Sequence, residues 1–585
     1  MALLRRTMRF CAAAAIAVAL GAPLTAVAQG GFFEQRQPPP PYTPAKDAKD
    51  LKAVLFNWTW HMGMLRGIDE HELIASLEYQ GKGTLQVDGQ PCSLTKYRVS
   101  TSYQTPGQRT QIACTKANGQ KYAAIEVVSG PYAWNEDIPG AELVKGKGKA
   151  TPLAGAVQER LIRLWASPQG APKAALAGTK QPDANRLPDD GAATIGATMV
   201  TWEAGKPVVT YPIPGVPGAT ATVTLNAKYM AESVVVNNGP NKYEFAYGDY
   251  ADWNNPLNKV EVLYAGKMTE KLNGKVVRDL VTTETETGSV YVVMPVPASV
   301  KAAIKVATPY PAVVTIPVLA SPFGPPAQQP PLKDEPTPRT ADGKPDLTGN
   351  WNGFVGFFNW RYGFRRCGPT QTSDCSTTWN QTIDFEFEAP SRYGPNRPIY
   401  KPEFWDKVQQ LDMWTNKEDP VMTCQPLGVP RQGGPSRIFQ TAHDVTFIYG
   451  GGFDGGGGYP EYRVIPTDGR KHNPNDQTTR YMGATVGTWE GDTLVLDSVG
   501  FNDQTWLARG GFFHSDEMHV VEKFTRKGNE ILYEVTVEDP QVLVEPWVMT
   551  PRTLQANTAP DAGLIQERGN CEVYETSNIT SQIRH

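Results

Sequence analysis

The sequence lacks the excess of positive charge that nucleic-acid-binding proteins carry. Its 56 Lys and Arg residues are balanced by 60 Asp and Glu residues, which leaves a net charge of −4. It also lacks any run of about 20 apolar residues, the length that a membrane-spanning helix needs. We therefore expect no nucleic-acid partner, because no basic surface is available for a phosphate backbone, and no membrane-spanning segment.

The motifs that mark several classes of enzyme are missing as well. No C-x-x-C, His-x-His or H-E-x-x-H spacing occurs, so the sequence predicts no metal site and no cofactor. No G-x-S-x-G sequence occurs, which argues against a serine hydrolase. The glycine run Gly450–Gly458 lacks the Lys-Ser/Thr of a phosphate-binding loop. We interpret it as a flexible loop, with the role of a lid as the alternative.

The N-terminus has the composition of a secretory signal peptide. Arginines precede a short apolar core that begins at Cys11, and Ala26-Val27-Ala28 supplies the small-x-small pattern of a cleavage site. We expect residues 1–28 to be removed by cleavage after Ala28. The mature protein is then expected in the periplasm or outside the cell.

The cysteines remaining after this cleavage are even in number. Of the 7 cysteines, Cys11 lies in the predicted signal peptide, and the others are Cys92, Cys114, Cys367, Cys375, Cys424 and Cys571. In an oxidising compartment this indicates up to three disulfides. Cys92 and Cys114 are alone in the N-terminal half and are expected to pair, and Cys367–Cys375 and Cys424–Cys571 would complete the set.

The region after a proline-rich leader at residues 29–46 predicts an α+β domain that extends over residues 47–305. Apolar residues at helical spacing predict helices in residues 47–66 and 156–166. Most of the rest alternates as strands, which are separated by turn dipeptides such as Asp88-Gly89 and Asn118-Gly119. We expect one long antiparallel sheet with helices on one face.

Three segments of this region carry a family resemblance: Gly130–Asn135, Glu159–Leu176 and Tyr247–Trp253. They resemble a domain found ahead of metallo-β-lactamase-fold hydrolases in some secreted bacterial proteins, and the strand pattern is similar to the half-barrel of LolA-like periplasmic lipoprotein carriers. The hydrolase metal motif His-x-His-x-Asp-His is absent, so the resemblance implies no zinc chemistry. A half-barrel implies an apolar groove between sheet and helices that suits a lipid. The alternative is that its own helix fills the groove.

A proline-rich linker at residues 306–338 precedes a β-rich domain at residues 339–585. Five segments of this domain carry a second family resemblance: Arg339–Trp351, Cys424–Arg431, Thr467–His472, Val486–Asp503 and His514–Phe524. They resemble a large, mostly uncharacterised family of exported bacterial proteins, and the resemblance implies no settled activity. The Gly349-x-Trp351 sequence is similar to the first strand of lipocalin-like barrels, so a barrel is one form that the domain can take.

Candidate catalytic residues lie at the ends of strands between Tyr462 and Pro546. Histidine is the usual acid or base near neutral pH. If these strand ends converge, an acid/base pair with a cationic anchor would form from Asp468, Arg470, His472, Asp503 and His514. The alternative is that Asp468-Gly469 is a hairpin turn and that Arg470 and His514 tie loops together by hydrogen bonds.

Four further side chains of this region are predicted to contact a ligand: Tyr462, Arg463, Trp489 and Trp506. For the tryptophans, core packing is the alternative. The first functional hypothesis is a periplasmic protein that binds a hydrophobic small molecule or lipid without a cofactor. The second is a cofactor-independent lyase, isomerase or hydrolase that uses His514 and Asp503, and the third is a structural or envelope-interaction module. The sequence leaves the oligomeric state open.

Overall fold

The computed structural model describes most of the predicted strands. The described residues are 51–62, 76–103, 106–177, 198–253, 263–287, 291–306, 332–352, 365–366, 381–382, 398–411, 419–420, 424–450, 461–508, 511–549, 551–560 and 562. The predicted signal peptide and leader, linker residues 307–331 and glycine-run residues 451–458 lie outside them. No helix in the described part of the chain is both long and apolar enough to cross a membrane.

The N-terminal half forms one antiparallel sheet of thirteen strands in the order β6-β5-β4-β3-β2-β1-β13-β12-β11-β10-β9-β8-β7. Because β6 and β7 are its two edges, this sheet is open and not closed into a barrel. The strands are β1 (Ser76–Val87), β2 (Gln90–Ser102), β3 (Gly107–Lys116), β4 (Lys121–Ser129), β5 (Tyr132–Glu136), β6 (Ala150–Pro152), β7 (Met199–Glu203), β8 (Lys206–Pro212), β9 (Thr220–Leu225), β10 (Ala231–Asn238), β11 (Asn241–Asp252), β12 (Leu263–Leu272) and β13 (Lys275–Thr287).

Three short helices pack against this sheet: α1 (Leu51–His61), α2 (Val157–Ala166) and α3 (Gly170–Ala177). Helix α2 buries Leu161, Leu164 and Trp165, whose three- and four-residue spacing gives it one apolar face. The strands outnumber the helices so strongly that the described chain is mostly β. The predicted α+β half-barrel therefore gives the helices too large a share of the fold.

Helix α2 is attached to both wings of the sheet. The guanidinium of Arg160 donates to the carbonyl oxygens of Val127 on β4 and Trp134 on β5, at 2.8 and 2.7 Å. On the other wing, the Asn238 amide of β10 donates to the Gln158 side chain of α2 at 3.0 Å. The sheet therefore curves around α2, and the face that it turns toward this helix is concave.

The C-terminal half contains two larger sheets and small strand pairs. A four-stranded sheet has the order β14-β17-β18-β19, and a six-stranded sheet contains β20, β21, β24, β25, β26 and β27. The elements that follow β13 along the chain are α4 (Ala298–Ala303), β14 (Gly349–Asn350), β15 (Arg365–Arg366), β16 (Gln381–Thr382), α5 (Trp405–Gln410), β17 (Arg437–Gln440), β18 (Asp444–Tyr449), β19 (Glu461–Pro466), β20 (Ala484–Glu490), β21 (Thr493–Val499), β22 (Trp506–Ala508), β23 (Phe512–Phe513), β24 (His519–Lys527), β25 (Glu530–Glu538), β26 (Trp547–Val548) and β27 (Arg552–Gln555).

The two larger sheets pack against each other through apolar side chains. Phe447 of β18 meets Phe524 of β24 edge to face, with ring centroids 5.0 Å apart, and both side chains are fully buried. The predicted lipocalin-like barrel is therefore wrong for the described residues, in which two separate open sheets enclose the core. Face-to-face packing lets each sheet bury one side without closing on itself.

One predicted disulfide is present in full in the described chain. Cys92 on β2 is bonded to Cys114 on β3, with the Cα atoms 5.6 Å apart. Cys424 is also disulfide-bonded. Its predicted partner Cys571 lies outside the described residues, as do Cys367 and Cys375.

Candidate functional site

A cavity lies on the concave side of the thirteen-stranded sheet, next to the C-terminal end of α2. It contains about 470 Å³ of empty space, part of it open to solvent. Its walls come from the two central strands and from both wings. The lining residues are Tyr79, Tyr97, Gln108, Arg163, Ser167, Pro168, Phe245, Tyr247, Tyr264, Met268, Thr269, Glu270, Arg278 and Leu280.

Aromatic rings make up much of the cavity wall. The Tyr79 ring centroid lies 5.2 Å from that of Tyr264 and 6.1 Å from that of Tyr97. The Tyr247 hydroxyl donates to the Ala166 carbonyl at 2.7 Å, so its polar end is used within the protein. Burial raises the pKa of Tyr79, Tyr247 and Tyr264 well above the usual value. These side chains are neutral phenols that offer apolar ring surface to the cavity.

Three charged side chains interrupt this apolar wall: Arg163, Glu270 and Arg278. Glu270 on β12 and Arg278 on β13 are directly opposite each other in the strand pairing. Arg163 reaches the same carboxylate from α2, and its Nε donates to the two Glu270 oxygens at 3.0 and 3.2 Å. A second carboxylate, that of Glu159, accepts from the Nη2 of Arg163. Arg163 is therefore held by two carboxylates.

Arg278 is held less closely. Its Nη1 donates to the Tyr97 hydroxyl at 3.3 Å, while its nitrogens lie 3.6 Å from a Glu270 oxygen and 3.7 Å from a Glu126 oxygen. Burial raises the pKa of Glu126, but the charges of Arg278, Arg160 and Arg163 outweigh it and leave that pKa below its usual value. The Glu126 carboxylate is thus ionised and balances the charge of Arg278 from a distance of 3.7 Å.

His514, the central residue of the predicted catalytic set, is buried and engaged at both ring nitrogens. Its Nδ1 lies 2.8 Å from the Ser515 carbonyl, which can only accept, so Nδ1 carries the proton. Its Nε2 therefore accepts from the Thr505 hydroxyl at 2.7 Å. Asp503 is exposed, and neither ring nitrogen is bonded to it. Both ring nitrogens are thus used in hydrogen bonds within the protein.

The other predicted catalytic residues lie at separate places. Asp468 and Arg470 form an exposed pair within one turn, with Oδ2 and Nη2 2.5 Å apart. The hydrogen bonds from Arg470 lower the pKa of Asp468 to about 2. His472 points to Asp497 on β21, with Nε2 3.0 Å from Oδ1. The structure therefore does not gather the predicted set around one cavity.

His472 has neighbours that the sequence did not single out. His519 on β24 also contacts Asp497, with Nε2 3.2 Å from Oδ1, and its Nδ1 lies 3.1 Å from Glu538. All four side chains are partly exposed. Among the described residues, no group of three or more His, Cys, Asp or Glu side chains is arranged to hold a metal ion.

The residues predicted to contact a ligand are also dispersed. Tyr462 is 71% exposed on β19, whereas Trp506 is buried. Arg463 is buried in the C-terminal core, where it pairs with Glu522 at 2.7 Å and donates to the Tyr449 hydroxyl at 3.0 Å. Trp489 is half-buried on β20. None of these residues, and none of the predicted catalytic residues, lines the cavity.

The predicted site residues include none of the cavity residues, although the strand pattern around Arg278 indicates a buried charge. Strand alternation places Arg278, Leu280 and Thr282 on one face of β13, and the last two are buried. An arginine in line with buried positions is the kind of buried charge that needs partners or a ligand.

Comparisons with known proteins identify no family. No protein-family model matches the chain, and no curated protein matches it in sequence. Among solved structures, a LolA superfamily protein from Nitrosomonas europaea is similar to 42% of this chain, over 95% of its own length. The identity is 8% and the TM-score is 0.23. A likeness at this level does not identify a ligand.

Proposed function

We propose that the protein is an exported binding protein that takes a hydrophobic small molecule or lipid into the cavity between the thirteen-stranded sheet and α2. The observation that carries the proposal is the cavity wall, which combines Phe245, Met268 and Leu280 with tyrosine rings around a concavity that is partly open to solvent. Binding sites for small molecules are concave and mostly apolar, with a few polar groups.

In this proposal the sheet and its helices act as a LolA-like half-barrel, and the groove is only partly filled by α2. Export is supported by the Cys92–Cys114 disulfide, because disulfides persist in oxidising compartments. The alternative of a lyase, isomerase or hydrolase is less favoured, since His514 has both ring nitrogens occupied and its predicted partners lie elsewhere.

The test is a titration of the mature protein with N-phenyl-1-naphthylamine, a neutral probe that becomes fluorescent in apolar surroundings. Leu280→Trp places a larger side chain on the cavity wall, and we expect it to weaken probe binding at least about tenfold. Val281→Trp is the matched control, because Val281 is the next residue on β13 and is 39% exposed on the opposite face. It should bind as the wild type does.

Native mass spectrometry of the protein purified from its own compartment would identify the natural ligand class by mass. Equal probe binding by Leu280→Trp and Val281→Trp, with both variants folded by circular dichroism, would place any ligand elsewhere. If Leu280→Trp does not fold, Met268→Phe provides a smaller change in the same wall. Absence of probe binding by the wild type would contradict the proposed function.

A further inference from the structure

Arg278 has hydrogen-bonding capacity that the protein does not use. An arginine offers five N–H donors, and the described structure shows one of them donating at hydrogen-bond distance, to the Tyr97 hydroxyl at 3.3 Å. The two carboxylates beside it lie at 3.6 and 3.7 Å, whereas charge-assisted N–H···O bonds are about 2.7–2.9 Å long. The guanidinium lines the cavity, yet its side chain is only 13% exposed.

The second arginine of the cavity makes closer contacts with carboxylates. Arg163 donates to both oxygens of Glu270 and pairs with Glu159. Glu270 is the carboxylate among the lining residues, and Arg163 holds it directly. Glu126 faces Arg278 from β4 but is not part of the lining. Arg278 is thus the less closely held of the two arginines, since Glu270 and Glu126 balance its charge only from 3.6 and 3.7 Å.

Apolar surface begins directly beside this charge. On β13, Leu280 is two residues from Arg278 and on the same face, and it is paired with Met268 across β12. Tyr264 and Phe245 extend the apolar wall. A cation at one point of such a wall suits a ligand with a charged end and an apolar body, because an ion pair is stronger in surroundings of low dielectric.

We propose that the ligand is an anionic amphiphile whose carboxylate or phosphate is bound by Arg278 and whose apolar tail lies against Tyr264, Met268 and Leu280. This inference rests on the proposed function. Arginine is suited to the role because its planar fork donates two parallel hydrogen bonds to a carboxylate or phosphate. The competing interpretation is that Arg278 only balances Glu126 and Glu270 and contacts no ligand.

The test compares ligands that share one tail and differ in the head group. Dodecanoate, dodecyl phosphate, dodecanol and dodecyltrimethylammonium are titrated below their aggregation limits into the mature wild-type protein that contains N-phenyl-1-naphthylamine, and displacement of the probe is followed. We expect both anions to bind roughly 10- to 100-fold more tightly than dodecanol, as hydrogen bonds to a charged group allow. The cationic compound should bind most weakly.

Variants then assign the preference to Arg278. Arg278→Gln should reduce the affinity for the two anions to that for dodecanol measured in the same variant. Arg278→Lys, which keeps the charge but loses the fork, should retain part of the preference. Lys275→Gln is the matched control, because it removes one positive charge from an exposed position on the same strand. It should keep the full preference.

The outcomes separate the inference from the proposed function. Equal affinities for dodecanol and both anions in the wild type would overturn the inference and leave hydrophobic binding intact. Failure of every compound, with no probe binding, would overturn both. A stronger preference for dodecanoate would assign a fatty-acid type of ligand, and one for dodecyl phosphate a phospholipid type. If Arg278→Gln does not fold, the comparison in the wild type together with Arg278→Lys still decides.

Discussion

At the scale of single residues, His514 is a buried side chain whose surroundings fix its protonation state. It is 3% exposed, and the Ser515 carbonyl and the Thr505 hydroxyl select the neutral ring with its proton on Nδ1. Burial lowers the pKa of His514 below its usual value, and the opposing effects of Ser515, Asp539 and Asp503 do not restore it. The folded protein therefore takes up this proton less readily than the unfolded chain.

This difference predicts how stability depends on pH. In the unfolded chain, His514 takes up a proton near its usual pKa of about 6.5, whereas burial lowers that pKa in the folded protein. The stability that the neutral ring contributes is therefore present above about pH 6.5 and is lost as the pH falls. We expect the contribution to decline by up to about 1.4 kcal/mol per pH unit below about pH 6.5. The measurement is urea unfolding of wild type and His514→Asn between pH 8 and pH 5.

The gap in free energy of unfolding between these two proteins should narrow as the pH falls. His443→Asn, at an exposed position in the same half of the chain, controls for the loss of one histidine. A gap that is constant across this pH range would show that His514 takes up its proton equally in both states.

The hydrogen-bond partner of His514, Thr505, is set by a short hairpin that was not among the predicted elements. Strands β22 and β23 pair Trp506 with Phe513, and this register brings Thr505 and His514 to facing positions. The predicted acid/base pair joined His514 to the carboxylate of Asp503. The short hairpin instead places the Thr505 hydroxyl beside His514. This hydroxyl donates to Nε2 and so occupies the nitrogen that a general base would use.

At the scale of elements, the pairing of β1 with β13 contains an irregularity near the centre of the large sheet. The register shifts between Gln80 and Gly81. At Gly83, where φ is +138°, an added Cβ would lie 2.1 Å from the Asp279 carbonyl oxygen. Such bulges bend a strand and increase its twist, and this one lies next to the cavity residue Tyr79. The close approach of two backbones requires glycine at this position.

Gly83→Ala is therefore expected to lower the free energy of unfolding by about 2 kcal/mol or more, because the β1 and β13 backbones must separate. Gly89→Ala is the matched control, since Gly89 has φ of +73° but nothing within 4 Å of its added Cβ. It should cost about 1 kcal/mol, from backbone strain alone. Urea unfolding measures both, and equal costs would mean that contact with Asp279 is unimportant.

Most strands of the N-terminal half were predictable because local signals mark them. Asp88 and Gly89 both have positive φ, 51° and 73°, which is the conformation that the predicted hairpin turn requires. The register shift in β1 was not predictable, since it depends on pairing with β13. Gln80 of β1 and Glu284 of β13 are hydrogen-bonded across 204 residues of sequence. No local pattern encodes a contact over that distance.

At the scale of the whole molecule, the pairing of β1 with β13 joins the two wings of the sheet and creates the cavity. The lining residues come from the segments around Tyr79, Arg163 and Arg278, which are far apart in sequence. Alternation predicted the long antiparallel sheet, and the family resemblance implied its concave form. The identity of the polar group in the cavity depends on which distant strands meet. The predicted site residues, which all belong to the C-terminal half, therefore do not include Arg278.

The two predicted halves of the chain also contact each other. Trp405 of α5 stacks on Tyr291 with ring centroids 5.7 Å apart, and the Arg109 guanidinium lies 4.7 Å from the centre of the Trp405 ring. Beside it, Arg98 of β2 donates to Asp406 at 3.0 Å and to Gln409 at 2.9 Å. Trp405 itself is 6% exposed. Its large buried ring is the centre of this contact.

Trp405→Ala is expected to lower the free energy of unfolding by about 3–5 kcal/mol, the usual cost of truncating a buried tryptophan. Because the ring lies between the two halves, we also expect their unfolding to separate. Scanning calorimetry should show one cooperative transition for the wild type and two for Trp405→Ala. Phe439→Ala, at a position 39% exposed on β17, is the control and should keep a single transition. Two transitions in the wild type itself would show that the halves fold independently, and the ring would then serve only the packing of its own half.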